Sequence, residues 1–542
     1  MARIMTEEEY AALGLQGPPA RIDPPGAPRD VASLIARAAA ACPGDEALVD
    51  AQGRYDFGEL AAAVTAAAAL FDAAGIRPGD RVAASLGNEN SLVIAFFAAM
   101  RLGAVWVGIN KILPPDDKRY ILAHSGAALL LTDASLDDQV AALRGETPDL
   151  AHVWILDAPG RDGGWRAALA DAANAVAPTP AIDPFAPAAI MYTSGTTGVP
   201  KGVVHSQHNM IVVPAAAFAH GLMTPDARRG SALPLTITNV MILGPVSAFL
   251  SCRPFLFAPS IKIEPLIGWI RDQRIGQVAF VPTMIYDLLQ ADLDLPDHFR
   301  MASGGAPLPH AIRAAFFERY GYHVSPSYGL TEAPTVVAHS FDAVPPDGAS
   351  GHALPHLEIS IRDAEGQPVP AGTVGEVCFA ATQAGDWANV YTAPLGYWRE
   401  GDKTAALLAG GVVHSGDHGS LDADGWLTIA DRSSELILRG GSNVYPAEIE
   451  RVLHAHDGVA DCAVVGKPDL RMGMLTVACI QLARADLDRA AIEAELVALC
   501  REKLTRYKMP DEWRFLDAFP RNAMGKVVKP KLRELVAAAA TD

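Results

Sequence analysis

A loop rich in glycine and hydroxyl side chains follows an apolar segment near the middle of this 542-residue chain. Ala189, Ile190 and Met191 are typical of the end of a buried strand, and residues 192–203 then read Tyr-Thr-Ser-Gly-Thr-Thr-Gly-Val-Pro-Lys-Gly-Val. Glycines let backbone N–H groups approach an anion, the hydroxyls add donors, and Lys201 adds a positive charge. The loop departs from the G-x-x-x-x-G-K-[ST] order of a Walker A motif. It is predicted to bind a polyphosphate, with a solvated turn as the plainer alternative.

The length of the chain exceeds what one hydrophobic core supports, and about 150 residues per domain predicts three or four structural units. From about residue 30 to 175, Ala-rich helical patterns at 31–42 and 57–74 alternate with apolar strands at 80–85 and 129–132. A second series places a strand at 277–282 and helices at 283–289 and 309–320. Such alternation predicts βαβ units and largely parallel sheets.

The character of the sequence changes after about residue 340. Strands shorten, turn residues become frequent, and the alternating segments 357–361 and 375–379 predict a small antiparallel or β-barrel-like unit. About 110 residues follow Arg432, the size of a small domain. Helices are predicted there at 446–454 and 490–504, and strands at 459–465 and 475–482.

Charge and cysteine usage narrow the classes of protein. The 62 acidic and 44 basic residues give a net charge of −18, which disfavours nonspecific binding to nucleic acid or to an anionic membrane. The six cysteines are scattered without a C-x-x-C pair, so neither a disulfide framework nor a zinc site is indicated. The N-terminus has no apolar signal-peptide core, and charged, Gly or Pro residues interrupt the apolar segments 92–109 and 241–258. We therefore expect a cytoplasmic protein without a membrane span.

Further short motifs follow the first loop in order. They are Ser-Gly-Gly-Ala-Pro at 303–307, Ser-Tyr-Gly-Leu-Thr-Glu at 327–332, Ser-Gly-Asp at 415–417, the segments 431–437 and 440–450, and Pro-Arg-Asn-Ala-Met-Gly-Lys at 520–526. Taken alone, each has a plainer interpretation as a strand-to-helix turn, an exposed acidic loop or a solvated lysine. Their order and spacing along one chain make that interpretation improbable for the set.

Together these motifs closely resemble the signature of the adenylate-forming superfamily, which contains acyl-CoA synthetases, firefly-luciferase-like enzymes and the adenylation domains of peptide synthetases. The resemblance extends from about residue 30 to 530. It implies an α/β fold with a large N-terminal part (two αβ subdomains and a small β-barrel-like unit) and a smaller, mobile C-terminal α+β domain. The domains are expected at 1–431 and 432–542, with ATP between them.

The resemblance also implies a role for individual residues. The phosphates of ATP would contact Thr193, Ser194, Gly195, Thr196, Thr197, Gly198 and Lys201. Adenine would lie against Ser303, Gly304, Gly305, Ala306, Pro307, Ser327, Tyr328 and Gly329. Thr331 would contact phosphate, Asp417 the ribose hydroxyls and Arg432 the nucleotide. The catalytic set would be Thr193, Glu332 as ligand of Mg²⁺, a hard cation that prefers oxygen, and Lys526, whose charge would neutralise the phosphate in the transition state.

Two departures from the family pattern concern the hinge and the acid pocket. Ser434 stands where the hinge usually carries Asp or Lys, although a small residue can still absorb a change of φ and ψ. Thr236 and Ile237 replace the usual aromatic-His pair, which disfavours medium- and long-chain fatty acids, and Ile237, Asn239 and Gly304 are the expected pocket residues. Residues 233–240 contain no acid to pair an amino group. A small aryl, alicyclic or short-to-medium acyl acid is therefore expected.

Three functions stay open at this stage. The first is a ligase that forms an acyl-adenylate from ATP and a carboxylic acid and transfers the acyl group to coenzyme A, with ATP, Mg²⁺ and CoA as cofactors. The second keeps the adenylation and uses the phosphopantetheine thiol of a carrier protein. The third is a catalytically silent nucleotide-binding protein. The sequence leaves the oligomeric state open, a homodimer included.

Overall fold

The computed structural model describes residues 3–113, 115–134, 146–157, 164–193, 200–221, 227–291, 293–297, 299–303, 308, 310–340, 345–346, 348–432, 435, 437–439, 442–469, 472–504, 506–522 and 526–538. The helices in this part of the chain are α1 (Glu7–Ala12), α2 (Leu34–Ala41), α3 (Phe57–Ala73), α4 (Asn90–Leu102), α5 (Pro115–Ser125), α6 (Trp165–Asp171), α7 (Gln207–Ala219), α8 (Thr238–Met241), α9 (Ser247–Leu250), α10 (Ile263–Asp272), α11 (Pro282–Gln290), α12 (His310–Tyr320), α13 (Gly401–Leu407), α14 (Pro446–Leu453), α15 (Arg489–Lys503) and α16 (Lys529–Ala538). A π-helical turn, Ile242–Val246, joins α8 to α9.

The strands are β1 (Glu46–Val49), β2 (Arg54–Asp56), β3 (Arg81–Ser85), β4 (Val105–Gly108), β5 (Ala127–Thr132), β6 (His152–Ile155), β7 (Pro187–Thr193), β8 (Lys201–Ser206), β9 (Arg229–Ser231), β10 (Phe255–Phe257), β11 (Gln277–Phe280), β12 (Arg300–Ser303), β13 (Ser325–Leu330), β14 (Thr335–His339), β15 (Ala349–Ala353), β16 (Leu357–Arg362), β17 (Gly375–Ala381), β18 (Gly396–Tyr397), β19 (Val413–Leu421), β20 (Leu427–Arg432), β21 (Ile437–Arg439), β22 (Ser442–Val444), β23 (Val459–Asp469), β24 (Gly473–Leu482) and β25 (Glu512–Phe515).

Local sequence signals explain several of the element ends. Asp56 and Glu59 form a reciprocal capping box that starts α3, as the Asp-x-x-Glu spacing favours. Helix α4 ends at Gly103, which has φ 72° and therefore the left-handed conformation that glycine adopts at low cost. The apolar segment 92–109 is thus a buried helix followed by β4, as predicted. No helix in the described ranges is long and apolar enough to cross a membrane.

Two large sheets carry parallel strands. In the seven-stranded sheet, ordered β18-β8-β7-β4-β3-β5-β6, the strands from β7 to β6 run parallel and β8 returns antiparallel to β7. In the thirteen-stranded sheet, β1, β10, β9, β11, β12 and β13 run parallel. The predicted α/β class with parallel sheets is confirmed. Parallel pairing places the carboxyl ends of β11, β12 and β13 at one edge, the edge at which open α/β sheets bind ligands.

The predicted small antiparallel or β-barrel-like unit is present as antiparallel strands, and the described residues contain no closed barrel. Strands β14, β15, β16, β17, β19 and β20 pair antiparallel with one another, and the pairing of β16 with β17 is in the predicted region. However, β13 pairs in parallel with β12 and antiparallel with β14, so the antiparallel strands continue the large sheet. Within the described residues this extension is open and ends on β16. Because β14 pairs with β13, the backbone hydrogen-bonding groups on that edge of β14 are satisfied without closure of the antiparallel strands into a barrel.

The C-terminal residues form a sheet of their own. Its order is β22-β21-β24-β23, and β25 pairs in parallel with β24. Helices α14 and α15 bury Ile449, Leu453 and Leu496 against this sheet, in a core separate from those of the N-terminal strands. The predicted α+β composition of this region is therefore present.

Four buried imidazoles are held neutral by the fold. Burial lowers the pKa of His205, His208 and His339 to about 4 and that of His356 to about 3, from an ordinary value of 6.5. The unfolded chain takes up these protons as the pH falls below about 6.5, and the folded chain does not until about pH 4. Their contribution to stability is full above that window and is lost progressively within it.

We expect the free energy of unfolding to fall between about pH 7 and about pH 5, and His356→Leu to reduce that slope. Neither ring nitrogen of His356 has a hydrogen-bond partner among the described residues, so the substitution removes a buried titrating group and orphans no partner. Each proton taken up only by the unfolded state contributes about 1.4 kcal/mol per pH unit. Urea unfolding across the range measures the slope, and an unchanged slope in the variant would contradict the assignment.

Candidate active site

A cavity of about 1280 Å³ lies against the thirteen-stranded sheet and collects residues from distant parts of the chain. It is lined by Thr193, Lys201, Ile237, Asn239, Ser303, Ser327, Gly329, Thr331, Glu332 and Lys526, all of them predicted site residues. The predicted residues Ser194, Gly195, Thr196, Thr197, Gly198, Gly304, Gly305, Ala306, Pro307 and Ser434 lie outside the described ranges. The cavity therefore joins the described ends of the first loop to the C-terminal lysine.

Two ends of the predicted phosphate loop meet across a strand pair. Thr193 ends β7, Lys201 begins β8, and the two residues are directly opposite each other in the antiparallel ladder. The apolar run before Thr193 is buried, as predicted for the strand that presents the loop. Both ends of the loop are therefore anchored in a sheet whose interior is packed.

Tyr397 contacts both Lys201 and Glu332, and the sequence did not predict it as a site residue. Its hydroxyl donates to Glu332 Oε1 at 2.8 Å, and Lys201 Nζ lies 5.5 Å from the centroid of its ring. The ring is 9% exposed, so it holds the carboxylate in one orientation from a rigid position on β18. The only signal in the sequence is an aromatic pair, Tyr397-Trp398, after Gly396.

His205 was also missed, and it fixes the backbone of the acidic loop. Its Nε2 donates to the carbonyl oxygen of Thr331 at 2.6 Å, and its Nδ1 accepts from Asn209 Nδ2 at 2.9 Å. Burial lowers the pKa of His205 to about 4, so the ring is neutral and its tautomer is set by these two bonds. His205 is therefore a positioning residue for the Thr331-Glu332 pair.

The predicted adenine and ribose residues contact each other. The hydroxyl of Tyr328 donates to Asp417 Oδ2 at 2.7 Å, and Asp417 is 4% exposed. Arg432 ends β20 opposite Asp417 in the ladder. Glu376 supports the turn before Asp417, because its Oε1 accepts from the Gly416 N–H at 3.1 Å. Ser415 and Gly416 line the cavity beside this pair.

Lys526 reaches the cavity from a short hairpin of the C-terminal region. The Lys526 N–H donates to Asn522 Oδ1 at 3.0 Å, and the Asn522 N–H donates to the Lys526 carbonyl at 2.9 Å. Both residues line the cavity, and a further bridge joins Arg521 to Val527. These hydrogen bonds fix the Lys526 backbone to Asn522 beside the cavity.

The expected acid pocket forms one end of the cavity. Ile237 and Asn239 line it together with Thr236, and Ile237 is the N-cap residue of the helical segment α8. Asn239 Oδ1 and Thr236 Oγ1 are buried without a hydrogen-bond partner among the described residues. Polar atoms buried in this way indicate a place where a polar ligand group completes the hydrogen bonding.

The oxygen atoms near Glu332 fit a hard divalent cation. The carboxylate of Glu332 lies on the cavity together with Thr193 and Thr331, which are hydroxyl residues. Mg²⁺ prefers carboxylate, hydroxyl, water and phosphate oxygens, and it commonly uses one or two protein carboxylates. Glu332 would hold the ion, and the bound ion would supply charge neutralisation to the phosphates.

Comparisons with known proteins agree with the geometry. The model of the AMP-binding enzyme family matches residues 35–385, and that of the AMP-binding enzyme C-terminal domain matches residues 448–526. The 3-[(3aS,4S,7aS)-7a-methyl-1,5-dioxo-octahydro-1H-inden-4-yl]propanoyl:CoA ligase of Mycobacterium tuberculosis is 34% identical over 527 residues, which is 94% of this chain and 99% of the relative.

The name of a second relative specifies a carrier protein in place of coenzyme A. The fatty acid–[acyl-carrier-protein] ligase ScoC of Streptomyces coeruleorubidus is 32% identical over 476 residues, 85% of this chain and 88% of the relative. Among solved structures, the anthranilate CoA ligase AuaEII in complex with anthranoyl-AMP superposes with a TM-score of 0.82 at 25% identity. That match covers 95% of this chain and 98% of the other.

Proposed function

We propose the following reaction course for this chain, which belongs to the family of AMP-binding enzymes. It is an ATP-dependent acid–thiol ligase that activates a carboxylic acid as an acyl-adenylate and transfers the acyl group to coenzyme A. The products are an acyl-CoA thioester, AMP and pyrophosphate. The observation that best supports the residue roles is the shared cavity, which joins Lys201, Glu332 and Lys526 to an acid pocket.

The first half-reaction makes a carboxylate into an acyl donor. A carboxylate oxygen attacks the α-phosphorus of ATP, the bond from that phosphorus to the bridging oxygen breaks, and pyrophosphate leaves with the electron pair. Positioning and charge stabilisation supply most of the catalysis of such phosphoryl chemistry. Thr193, Ser194, Thr196, Thr197 and Lys201 hold the β- and γ-phosphates.

Protein charges stabilise the transition state from two sides. Lys526 places its ammonium group against the α-phosphate, where negative charge accumulates. Glu332 would hold the Mg²⁺ ion, and the bound ion would supply charge neutralisation to the phosphates. Tyr397 keeps the Glu332 carboxylate in place, and His205 keeps the Thr331 backbone in place. Neither Tyr397 nor His205 exchanges a proton in this scheme.

The second half-reaction requires a different arrangement of the two parts of the chain. The C-terminal domain, residues 432–542, rotates about Ser434, withdraws Lys526 from the cavity and opens a path for the thiol. The thiolate sulfur of CoA attacks the carbonyl carbon of the acyl-adenylate, and AMP leaves. Lys526 and its hydrogen-bond partner Asn522 both belong to this domain, so their contact moves with it.

A carrier-protein thiol is the second candidate acceptor. The name of the relative ScoC specifies an acyl-carrier protein in place of coenzyme A. The chemistry of the attack is the same, because a phosphopantetheine thiol ends both acceptors. Thioester formation with coenzyme A measured against a holo carrier protein distinguishes the two.

Lys526→Ala is expected to separate the half-reactions. Acid-dependent exchange of pyrophosphate into ATP should fall by at least about a hundredfold, because the variant loses charge stabilisation that is made in the transition state. Thioester formation from preformed acyl-adenylate should be largely retained. Lys531→Ala, which changes an exposed lysine of α16, is the matched control and should leave both rates at the parent value. Equal loss of both half-reactions in Lys526→Ala would contradict the role.

Glu332→Gln is expected to raise the Mg²⁺ concentration that gives half-maximal adenylation. The amide keeps the shape of the side chain and removes the charge that holds the ion.

Tyr397→Phe removes the hydrogen bond to Glu332. It should raise the Mg²⁺ concentration for half-maximal adenylation by about tenfold, as for other partners of metal-binding side chains. A Mg²⁺ titration of pyrophosphate exchange measures both shifts. A midpoint identical to that of the parent in Glu332→Gln would rule out Glu332 as the metal ligand.

A further inference from the structure

A buried guanidinium lies at the end of the acid pocket farthest from the nucleotide residues. Arg229 begins β9, is 4% exposed, and lines the cavity together with Gln277, its direct neighbour on β11. Burial lowers the pKa of Arg229 to about 10 from 12.5, so the group remains protonated at neutral pH. A permanent positive charge is therefore built into the inner end of the pocket.

The direction of the strands sets the distance of this charge from the reaction centre. Because β9, β11 and β12 run parallel, Arg229 and Gln277 lie at the amino edge of the sheet. Ser303 lies at the carboxyl edge, beside Phe280. The three residue steps from Gln277 to Phe280 correspond to about 10 Å along a strand. A substrate whose carboxylate lies at the nucleotide edge can thus present its other end to Arg229.

The walls between the two ends are mostly apolar. Val240, Leu243, Phe255 and Ala279 line this stretch of the cavity. Ala279 is exposed although it lies in the middle of β11, because its side of the strand faces the cavity. The opposite wall is the π-helical turn Ile242–Val246, an element that often marks functional sites. The pocket thus accepts a hydrocarbon segment before it reaches the cation.

A hydrogen bond to helix α9 positions the guanidinium of Arg229. Its Nη1 donates to Ser247 Oγ at 2.5 Å, and Ser247 begins α9 and is 1% exposed. A guanidinium has five N–H donors in a planar fork that suits carboxylate and carbonyl oxygens. A hydrocarbon chain end placed against a buried charge supplies no acceptor, whereas an oxygen-bearing end does.

We propose that Arg229 forms a distal subsite that recognises an oxygen acceptor at the far end of the acid. The preferred substrates are then carboxylic acids that carry a second carboxylate or an oxo group about 10 Å from the activated carboxyl group, separated from it by an apolar segment. This inference rests on the proposed acid-activating function and specifies its substrate class. Arg229 acts in specificity and takes no part in the adenylation chemistry.

The test compares acids of one chain length on the full-length enzyme. Suberic acid, the keto acid of equal length that ends in a methyl ketone, and octanoic acid are assayed for acid-dependent pyrophosphate exchange. The parent enzyme is expected to favour the two oxygen-bearing acids in kcat/KM. Arg229→Met should lower kcat/KM for those two acids by about tenfold to a hundredfold, as for loss of a hydrogen bond to a charged group. Octanoic acid should be unaffected or improved.

Matched variants separate recognition from folding. Arg228→Met removes the adjacent guanidinium, which pairs with Glu46 at 2.6 Å and does not line the cavity, so the ratio between acids should equal that of the parent. Arg229→Lys keeps the charge without the planar fork and should retain more activity on suberic acid than on the keto acid. The difference between the two acids shows whether the oxygen acceptor is recognised by the charge of residue 229 or by the planar geometry of the guanidinium.

Three results would overturn the subsite. If Arg229→Met lowers exchange with all three acids in parallel, the guanidinium only ties β9 to α9 through Ser247. If the parent enzyme uses octanoic acid at least as well as the oxygen-bearing acids, the substrate class is wrong while the ligase function stands. A parent that exchanges pyrophosphate with none of the three acids, nor with a broader acid panel, would refute the function and the subsite together.

Discussion

Parallel pairing of β9, β11, β12 and β13 is the constraint on which the site depends. It places the carboxyl ends of these strands along one edge, so that Ser303, Ser327 and Glu332 line the same cavity. It also makes the pocket directional, with the nucleotide residues at one edge and Arg229 at the other. A different strand order would separate these groups, which are far apart in the sequence and have to contact the same ligand.

Two polar groups of the site are held by buried side chains that carry no charge. Tyr397 and His205 each donate one hydrogen bond, to Glu332 and to the carbonyl of Thr331 respectively. A neutral donor orients an acceptor without competing for the charge that the acceptor must offer to a cation. By contrast, Lys526 lies exposed on a small hairpin of the C-terminal region. Fixed acceptors and one cation on the C-terminal region suit the proposed two-step reaction, because under that proposal only the cation has to leave before the thiol arrives.

The sequence alone predicted those parts of the site whose chemistry is concentrated in a few consecutive residues. Tyr328, Thr331 and Glu332 follow one another, and Lys201 closes a recognisable loop, so their residue types were visible without the fold. Tyr397 contacts Glu332 from 65 residues away and His205 contacts Thr331 from 126 residues away, and neither lies in a motif with a chemical signature. Arg229 is one arginine among many until burial and strand direction place it in the pocket. Whether the antiparallel strands close into a barrel could not be predicted, because alternating patterns specify strands but not which edge each strand pairs with.

The account requires one nucleotide triphosphate to occupy the cavity between the sheet edge and the Lys526 hairpin. The most direct measurement is a crystal structure with α,β-methylene-ATP, an analogue that resists cleavage at the α-phosphate, accompanied by calorimetry of its binding to the protein in solution. We expect saturable binding, ribose hydroxyls at Asp417, and phosphates between Lys201 and Lys526. Absence of binding heat together with an empty cavity, or a nucleotide bound elsewhere on the protein, would contradict the account.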